Sequence, residues 1–169
     1  MTLAVVVPRG AAYAQTVQEE YIQRAVAPAQ HAMAEVGIPA SVAIGQSALE
    51  TGWGRYAALN NYFGIKCVNN DPGSIAIGCR TMTTTECGPR GCGPEAGVFR
   101  VYATMEDSFR DYGRFLHNSP RYAKAFNFTH DPDQFIREVH AAGYATDPEY
   151  ANKVISIMRT YNLYRFNTP

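Results

Sequence analysis

The chain has 169 residues, which is enough for one domain with a substantial core and too few for two comfortable ones. Apolar residues make up 46% of it and charged residues 18%, and this composition excludes a disordered chain. Because 15 basic residues balance 15 acidic ones, the charge predicts neither nucleic acid nor an anionic membrane as a partner. No apolar run approaches the roughly 18 residues of a membrane-spanning helix, so we expect a soluble protein.

The first fourteen residues, MTLAVVVPRGAAYA, contain an apolar run followed by the small-x-small pattern of an export-signal cleavage site, Ala12-Tyr13-Ala14. No basic region precedes the run, and Pro8-Arg9 interrupts it. We interpret residues 1–15 as an N-terminal arm or the remnant of an export signal. Residues 16–169 are then a single domain.

Helical patterning follows this arm. Apolar residues recur at helical spacing over 16–36, and we expect Pro28 to kink or divide the helix and Gly37 to end it. Pro39 is expected to start a second helix, which breaks at Gly52.

The pattern changes between about residues 63 and 102. Gly, Pro, Asn and Thr become frequent there, and short apolar pieces such as SIAIGC and GVFRVY alternate with them. This pattern predicts two or three short strands with long turns, which form a small β lobe inserted between helices.

Helix signals return after the β lobe. Thr104, three residues before Asp107, indicates a capping box at the start of a helix. Asp131-Pro132 and Asp147-Pro148 indicate two further helix starts, each an N-cap followed by a first-turn proline. The predicted fold class is therefore α+β and mainly helical, with a cleft between the two lobes as the natural place for a ligand.

All four cysteines lie between Cys67 and Cys92, without a Cys-x-x-Cys pair and without a histidine in the same segment. This spacing favours disulfides, with zinc and free thiols as the alternatives. Of the three connectivities, the sequence order favours Cys67–Cys79 across a hairpin and Cys87–Cys92 around a turn. Oxidised cysteines predict a secreted, periplasmic or cell-wall associated protein.

A glutamate stands out in QSALETGWGRY, residues 46–56. Glu50 falls at the C-terminal end of the second predicted helix, next to Trp53. The helix dipole, the apolar neighbours and the indole all disfavour its charged form, so we predict that the pKa of Glu50 is raised. A carboxyl group that stays protonated near neutral pH suits a general acid. The alternative is a solvated surface glutamate.

Other chemistries lack their motifs. The sequence contains no His-Glu-x-x-His zinc motif, no glycine-rich phosphate loop and no Gly-x-Ser-x-Gly nucleophile turn. We therefore expect no metal site and no cofactor.

Four distinctive sequence blocks follow one another between about residues 18 and 163. They are PASVAIGQSALETGWG (39–54), NNYFGIKC (60–67), TTTE with FRVYATMEDSFRDY (83–86 and 99–112), and AGYATDPEYANKV (142–154). In these blocks the chain resembles glycoside hydrolase family 73, the glucosaminidases that include autolysins, phage lysins and the hydrolase domain of flagellar-rod proteins. The resemblance implies a lysozyme-like fold, in which a helical lobe and a β lobe flank a sugar-binding groove.

The resemblance also implies a reaction and its residues. The partner is the glycan strand of peptidoglycan, cut at the β-1,4 bond between N-acetylglucosamine and N-acetylmuramic acid, and Glu50 matches the catalytic glutamate, the general acid. Glu86 lies in the place of a second catalytic carboxylate, although Cys87 replaces the aromatic residue that the family has there. Glu95 and Asp71 are alternatives, and so is attack by the acetamido group of the substrate.

Further site residues follow from the same blocks. Tyr144 matches a family tyrosine at the cleft, where its phenol would orient the acetamido group or a water; the alternative is a packing tyrosine. Trp53, Asn60 and Tyr62 are predicted to bind sugar, through stacking on the aromatic faces and hydrogen bonds to the amide. Phe63 could also stack, but we expect it to be buried, and core or turn roles are the alternatives for the other three.

Two other functions stay open. The first is a muramidase or lytic transglycosylase on a similar fold, which would cut the neighbouring bond. The second is a wall-binding or assembly module without hydrolytic activity. In all three cases we expect a monomer with no nucleic-acid partner and no membrane span.

Overall fold

The computed structural model describes residues 14–168, apart from the side chains of residues 86 and 87. The helices are α1 (Val17–Val36), α2 (Ala40–Thr51), α3 (Met105–Asn118), α4 (Pro132–Ala141) and α5 (Tyr150–Thr160), and the strands are β1 (Gly78–Gly88) and β2 (Gly91–Val101). Short 3₁₀ segments cover Ala58–Asn60, Pro120–Phe128 and Leu163–Phe166. This confirms the α+β, mainly helical class. All but the last two residues of the predicted N-terminal arm lie outside the described residues.

Helix α1 has a complete capping box at its start. The Thr16 hydroxyl accepts from the Glu19 N–H at 3.1 Å, and the Glu19 carboxylate accepts from the Thr16 N–H at 3.0 Å. Gly37 ends the helix in the left-handed conformation, with φ 86°, as predicted. The helix nevertheless runs through Pro28 as one element, so the expected division does not occur.

Helix α2 is the central element of the helical lobe. Residues 40–48 are all buried, as a helix with small and apolar residues on every side must be. Gly45 allows α5 to cross closely, because a Cβ there would lie 3.2 Å from a methyl of Val154 and 3.3 Å from Met158. The helix breaks at Gly52, with φ 55°, as predicted. Only its last turn reaches the surface.

The β lobe is one long antiparallel hairpin and not the two or three short strands that the sequence predicted. Its two strands have 11 residues each, in a register that runs from Gly78 opposite Val101 to Gly88 opposite Gly91. The segment before the hairpin joins it at its base, where the Cys67 N–H donates to the Val98 carbonyl at 2.8 Å.

A disulfide joins Cys67 to Cys79, which confirms the first predicted bridge. It ties the segment before the hairpin to the start of β1. The register places Cys87 opposite Cys92 at the tip of the hairpin. Because the Cys87 side chain lies outside the described side chains, the second bridge stays a prediction.

The helix starts after the hairpin are confirmed in two cases out of three. The Thr104 hydroxyl accepts from the Asp107 N–H at 3.1 Å to cap α3, and the Asp131 carboxylate accepts from the Gln134 N–H at 3.1 Å to cap α4. The third prediction is wrong, because Asp147 instead accepts from the Glu149 N–H, two residues on. It forms a turn, and α5 begins only at residue 150.

None of the helices found within residues 14–168 combines the length and the apolar character needed to cross a bilayer.

Candidate active site

Glu50 lies in the exposed last turn of α2, on a helix that is otherwise buried. The Tyr150 hydroxyl donates to its Oε1 at 3.0 Å. Tyr150 is the first residue of α5 and is only 4% exposed. Since α2 and α5 pack closely at Gly45, the crossing of these two helices sets the position of the carboxylate.

Two further buried polar side chains stand behind Glu50. Gln46, one turn earlier on α2, donates from Nε2 to the Tyr150 hydroxyl oxygen at 2.9 Å. Its Oε1 accepts from the hydroxyl of Tyr112 on α3. Burial, and after it the negative charge of Glu50, raise the pKa of both phenols well above the ordinary value. Both tyrosines are therefore protonated hydrogen-bond donors at neutral pH.

Tyr144 lies beside this group, in the turn after α4. Gly143, with φ 92°, reverses the chain there. The Tyr144 ring centroid is 5.7 Å from that of Tyr150, and its hydroxyl donates to the Phe63 carbonyl at 3.3 Å. Burial first, and then the neighbouring Tyr150 and Glu50, raise the pKa of the Tyr144 phenol. Tyr144 and Glu50 are thus both neighbours of Tyr150, and the predicted role of Tyr144 at the cleft stays a prediction.

The carboxylates of the β lobe are placed less fully. Glu86 lies on β1 near the hairpin tip, with its Cα opposite Gly93, and its side chain is outside the described side chains. Glu95 is exposed on β2, and the Asp71 carboxylate accepts from the Gly73 N–H at 2.8 Å within its own turn. The identity of the second catalytic group therefore remains a prediction.

Trp53 lies behind the last turn of α2. Its ring meets Tyr21 of α1 edge-on, with centroids 6.1 Å apart, and Tyr161 after α5, with centroids 4.8 Å apart. The indole is half-buried between these rings. Its contacts are those of a packing residue, and none of them tests the predicted stacking on sugar.

Tyr62 and Asn60 have structural environments as well. Tyr62 is 6% exposed and packs against Tyr21 and Phe109, as a core residue does. The Asn60 amide donates to the carbonyls of Tyr102 and Ala103, at 3.2 Å each, and so holds the end of β2. These contacts fit the alternative core and turn roles, and the predicted sugar contacts of Asn60 and Tyr62 stay predictions.

Phe63 is buried as expected, 4% exposed, and it stacks on Tyr112 with the two rings nearly parallel and their centroids 3.8 Å apart. Phe63, whose carbonyl accepts from the Tyr144 hydroxyl, therefore also packs against Tyr112, the donor to Gln46. The sequence motifs identified neither Gln46 nor Tyr150 as a site residue. The available signal was an amide four residues before Glu50, on the same helix face, in an otherwise apolar helix.

Two cavities of the described chain lie elsewhere. One, of about 690 Å³, lies between α1 and the C-terminal segment and is lined by Ile22, Tyr161 and Phe166 among others. The other, of about 390 Å³, lies beside Arg100 and Asp111. Neither is lined by Glu50, and the predicted cleft between the lobes remains a prediction. Among the described residues, no group of His, Cys, Asp and Glu is arranged to hold a metal ion.

Comparison with solved structures defines the class of the fold. The crystal structure of the catalytic domain of the autolysin Auto from Listeria monocytogenes matches 93% of this chain and 91% of that one, with a TM-score of 0.77 and 27% identity. The helical body, the inserted β lobe and the glutamate at the end of a buried helix thus define a lysozyme-like glycoside hydrolase domain.

Sequence comparison then gives the family. Residues 26–163 match the family described as mannosyl-glycoprotein endo-beta-N-acetylglucosaminidase. The peptidoglycan hydrolase FlgJ of Pseudomonas aeruginosa is 37% identical over 154 residues, which are 87% of this chain and 38% of that protein. A Lactococcus lactis protein named "Probable N-acetylmuramidase" is 30% identical over 158 residues, 88% of this chain and 35% of that protein. The chain belongs to the glucosaminidase family, and it spans less than half the length of these curated relatives.

Proposed function

We propose that this domain hydrolyses the β-1,4 bond between N-acetylglucosamine and N-acetylmuramic acid in peptidoglycan, leaving N-acetylglucosamine at the new reducing end. The observation that carries the proposal is the placement of Glu50. It matches the catalytic glutamate of the family motif at residues 39–54, and it projects from the exposed last turn of a buried helix with one oxygen held by Tyr150. A fixed carboxyl group at an accessible surface is what a general acid requires.

In this reaction Glu50 transfers its proton to the glycosidic oxygen as the bond from that oxygen to the anomeric carbon breaks. The N-acetylmuramic acid fragment leaves with a new hydroxyl group. Water adds to the anomeric carbon of N-acetylglucosamine. One proton of this water stays on the new anomeric hydroxyl group, and the other passes to a base. Tyr144, whose ring lies next to that of Tyr150, orients the acetamido group or the water.

We assign Glu86 as that base, with Glu95 and Asp71 as the alternatives on the same lobe. Asp71 is the weakest of the three, because its carboxylate already caps a turn through the Gly73 N–H. Attack by the acetamido group of the substrate would need none of them.

A digest of purified peptidoglycan tests the bond and the acid together. The fragments are reduced with borohydride and identified by mass spectrometry. We expect reduced N-acetylglucosamine at the fragment ends, and a loss of about 10²- to 10⁴-fold in rate for Glu50→Gln. Glu20→Gln, which changes an exposed carboxylate in the first turn of α1, is the matched control and should cut like wild type. A fully active Glu50→Gln would refute the assignment of the acid.

The base is tested by a matched pair on the hairpin. Glu86→Gln should lose about 10²-fold or more in rate, whereas Glu95→Gln should stay within a few-fold of wild type. The reverse order would move the assignment to Glu95. If both variants stay active while Glu50→Gln is inactive, attack by the acetamido group of the substrate replaces a protein base.

The second candidate is cleavage of the neighbouring bond. The name of the Lactococcus lactis relative, an N-acetylmuramidase, favours it. Reduced N-acetylmuramic acid at the fragment ends would establish this alternative, and an anhydro end would establish a lytic transglycosylase. Binding to wall sacculi without released fragments would instead establish a module without hydrolytic activity.

The remaining assignments follow from the substrate. Peptidoglycan lies outside the cytoplasm, and the disulfide between Cys67 and Cys79 suits an oxidising compartment. We therefore propose that the domain is secreted, periplasmic or associated with the cell wall, and that it acts as a monomer on glycan strands.

A further inference from the structure

A chain of three hydrogen bonds leads from the core of the helical lobe to Glu50. Tyr112 donates to Gln46, Gln46 donates to Tyr150 at 2.9 Å, and Tyr150 donates to Glu50 Oε1 at 3.0 Å. The members lie on three different helices, and the three behind Glu50 are between 0% and 4% exposed. A buried amide is costly unless it is hydrogen-bonded, and Gln46 uses both its oxygen and its nitrogen.

The direction of every bond follows from the carboxylate. An ionised Glu50 can only accept, so Tyr150 must donate its single proton to it. The Tyr150 oxygen is then left to accept from Nε2 of Gln46. This orientation turns Oε1 of the amide toward Tyr112, which must donate in turn. Only one arrangement of protons therefore satisfies all four groups.

We infer that Gln46 and Tyr150 are positioning residues for Glu50, and that they place its transferable proton on Oε2. The carbonyl oxygen of a protonated carboxyl group accepts a hydrogen bond better than its hydroxyl oxygen does, so the bond from Tyr150 to Oε1 favours the acid proton on Oε2. This chain of hydrogen bonds thus fixes both the rotamer of the Glu50 carboxyl group and the oxygen that delivers the proton. This inference rests on the proposed role of Glu50 as general acid.

The packing around the chain supports this role. Gln46 and Glu50 are one turn apart on α2 and therefore share a face. Tyr112 stacks on Phe63, and the carbonyl of Phe63 accepts from Tyr144. Phe63 therefore contacts both the hydrogen-bond chain that leads to Glu50 and the predicted cleft residue Tyr144. Burial raises the pKa of the Tyr150 phenol, with the charge of Glu50 as the second cause, and so keeps the donor protonated.

The test is Tyr150→Phe, which removes one hydroxyl group and keeps the ring. Two quantities are measured: the pH profile of kcat/KM on purified peptidoglycan, and the titration of the Glu50 carboxyl carbon by ¹³C NMR. The ionised form of Glu50 loses a donor, so its titration and the alkaline limb of the profile should both move to higher pH. We expect roughly 0.5–1 pH unit and about a tenfold loss in kcat.

Gln46→Met gives a graded second variant. The Tyr150 hydroxyl loses the donor to its oxygen and becomes a weaker donor itself, so both midpoints should move in the same direction by less. Tyr102→Phe is the matched control, because it removes another buried phenol-to-carboxylate bond, to Asp111 at 2.6 Å, and keeps the Arg100–Asp111 pair. It should lower stability and leave both midpoints in place.

The two readouts separate the inference from the proposed function. An unchanged Glu50 titration in Tyr150→Phe would overturn the inference, even if the wild type cuts and Glu50→Gln does not. An equal shift in Tyr102→Phe would also overturn it, since a general loss of stability would then explain the result. An inactive wild type would instead refute the proposed function, while a shifted titration would still uphold the hydrogen-bond chain.

Discussion

Asp111 joins the hairpin to the helical lobe, and its removal should destabilise the protein strongly. Its Oδ2 accepts from Arg100 Nη1 at 2.7 Å and from the Tyr102 hydroxyl at 2.6 Å. The side chains of Asp111 and Arg100 are 8% and 18% exposed. Asp111→Ala therefore leaves a guanidinium with little access to water and a buried hydroxyl without its acceptor. Breaking a buried pair costs about 3–5 kcal/mol, and the residual exposure of Arg100 places this case near the lower end.

We measure the free energy of unfolding in urea and the midpoint of thermal unfolding. A loss of about 3 kcal/mol corresponds to a fall of roughly 6–12 °C in Tm for a domain of this size. Glu106→Ala is the control, because Glu106 pairs with His31 at 2.8 Å on the surface, with exposures of 43% and 68%. That pair should contribute less than about 1 kcal/mol. If Asp111→Ala were no less stable than Glu106→Ala, the contacts of Asp111 with Arg100 and Tyr102 would not be what joins the two lobes.

Two further predictions concern packing and pH. Gly45→Leu should lower the free energy of unfolding by about 1–3 kcal/mol, and by more than Gly45→Ala does, because α5 lies against the glycine. Equal free energies of unfolding for the two variants, measured in urea, would contradict this close approach. Stability should also fall above about pH 10, where an unfolded chain ionises its tyrosines. Burial raises the pKa of six phenols among the described residues, so their stabilisation is complete below pH 10 and is lost as the pH rises. Tyrosinate absorbance should appear together with unfolding, and absorbance without unfolding would contradict this prediction. These residues are Tyr21, Tyr102, Tyr112, Tyr144, Tyr150 and Tyr164.

Helix boundaries were predictable wherever one residue determines the local backbone. Gly37 and Gly52 end their helices in the left-handed conformation, and Thr104 and Asp131 cap theirs through side-chain bonds three residues on. Asp147 failed because an aspartate before a proline serves an N-cap and a turn equally well. Its partner here is two residues away, and only tertiary contacts decide between the two roles.

The hairpin was predicted as a lobe but not in its extent. Gly and Pro within residues 88–97 suggested breaks in the strands, yet the pairing continues past Pro94 and Gly97. A two-stranded ribbon is open on both edges, so a proline can face away from its partner strand without loss of a ladder bond. Strand length in such a ribbon depends on register, which composition does not report.

Sequence motifs predicted Glu50 and Tyr144 as site residues, but they did not predict the polar residues behind Glu50. Glu50 and Tyr144 belong to recognisable blocks. Gln46 and Tyr150 were invisible as a pair, because 104 residues of chain separate them and only the crossing of α2 and α5 brings them to 2.9 Å. The sequence gives the polarity of a buried amide but not the identity of its partner.

The turn after Glu50 explains why a tryptophan follows it so closely. Gly52, Trp53 and Gly54 all have positive φ, of 55°, 64° and 81°. A non-glycine residue in this conformation costs roughly 1–2 kcal/mol, so the turn needs compensation. The Trp53 N–H donates to the Ala48 carbonyl at 2.9 Å, and its ring is wedged between the rings of Tyr21 and Tyr161. The indole therefore stabilises the turn that ends α2. Because the helix ends at Thr51, Glu50 lies in its last turn, at the surface and hydrogen-bonded to Tyr150.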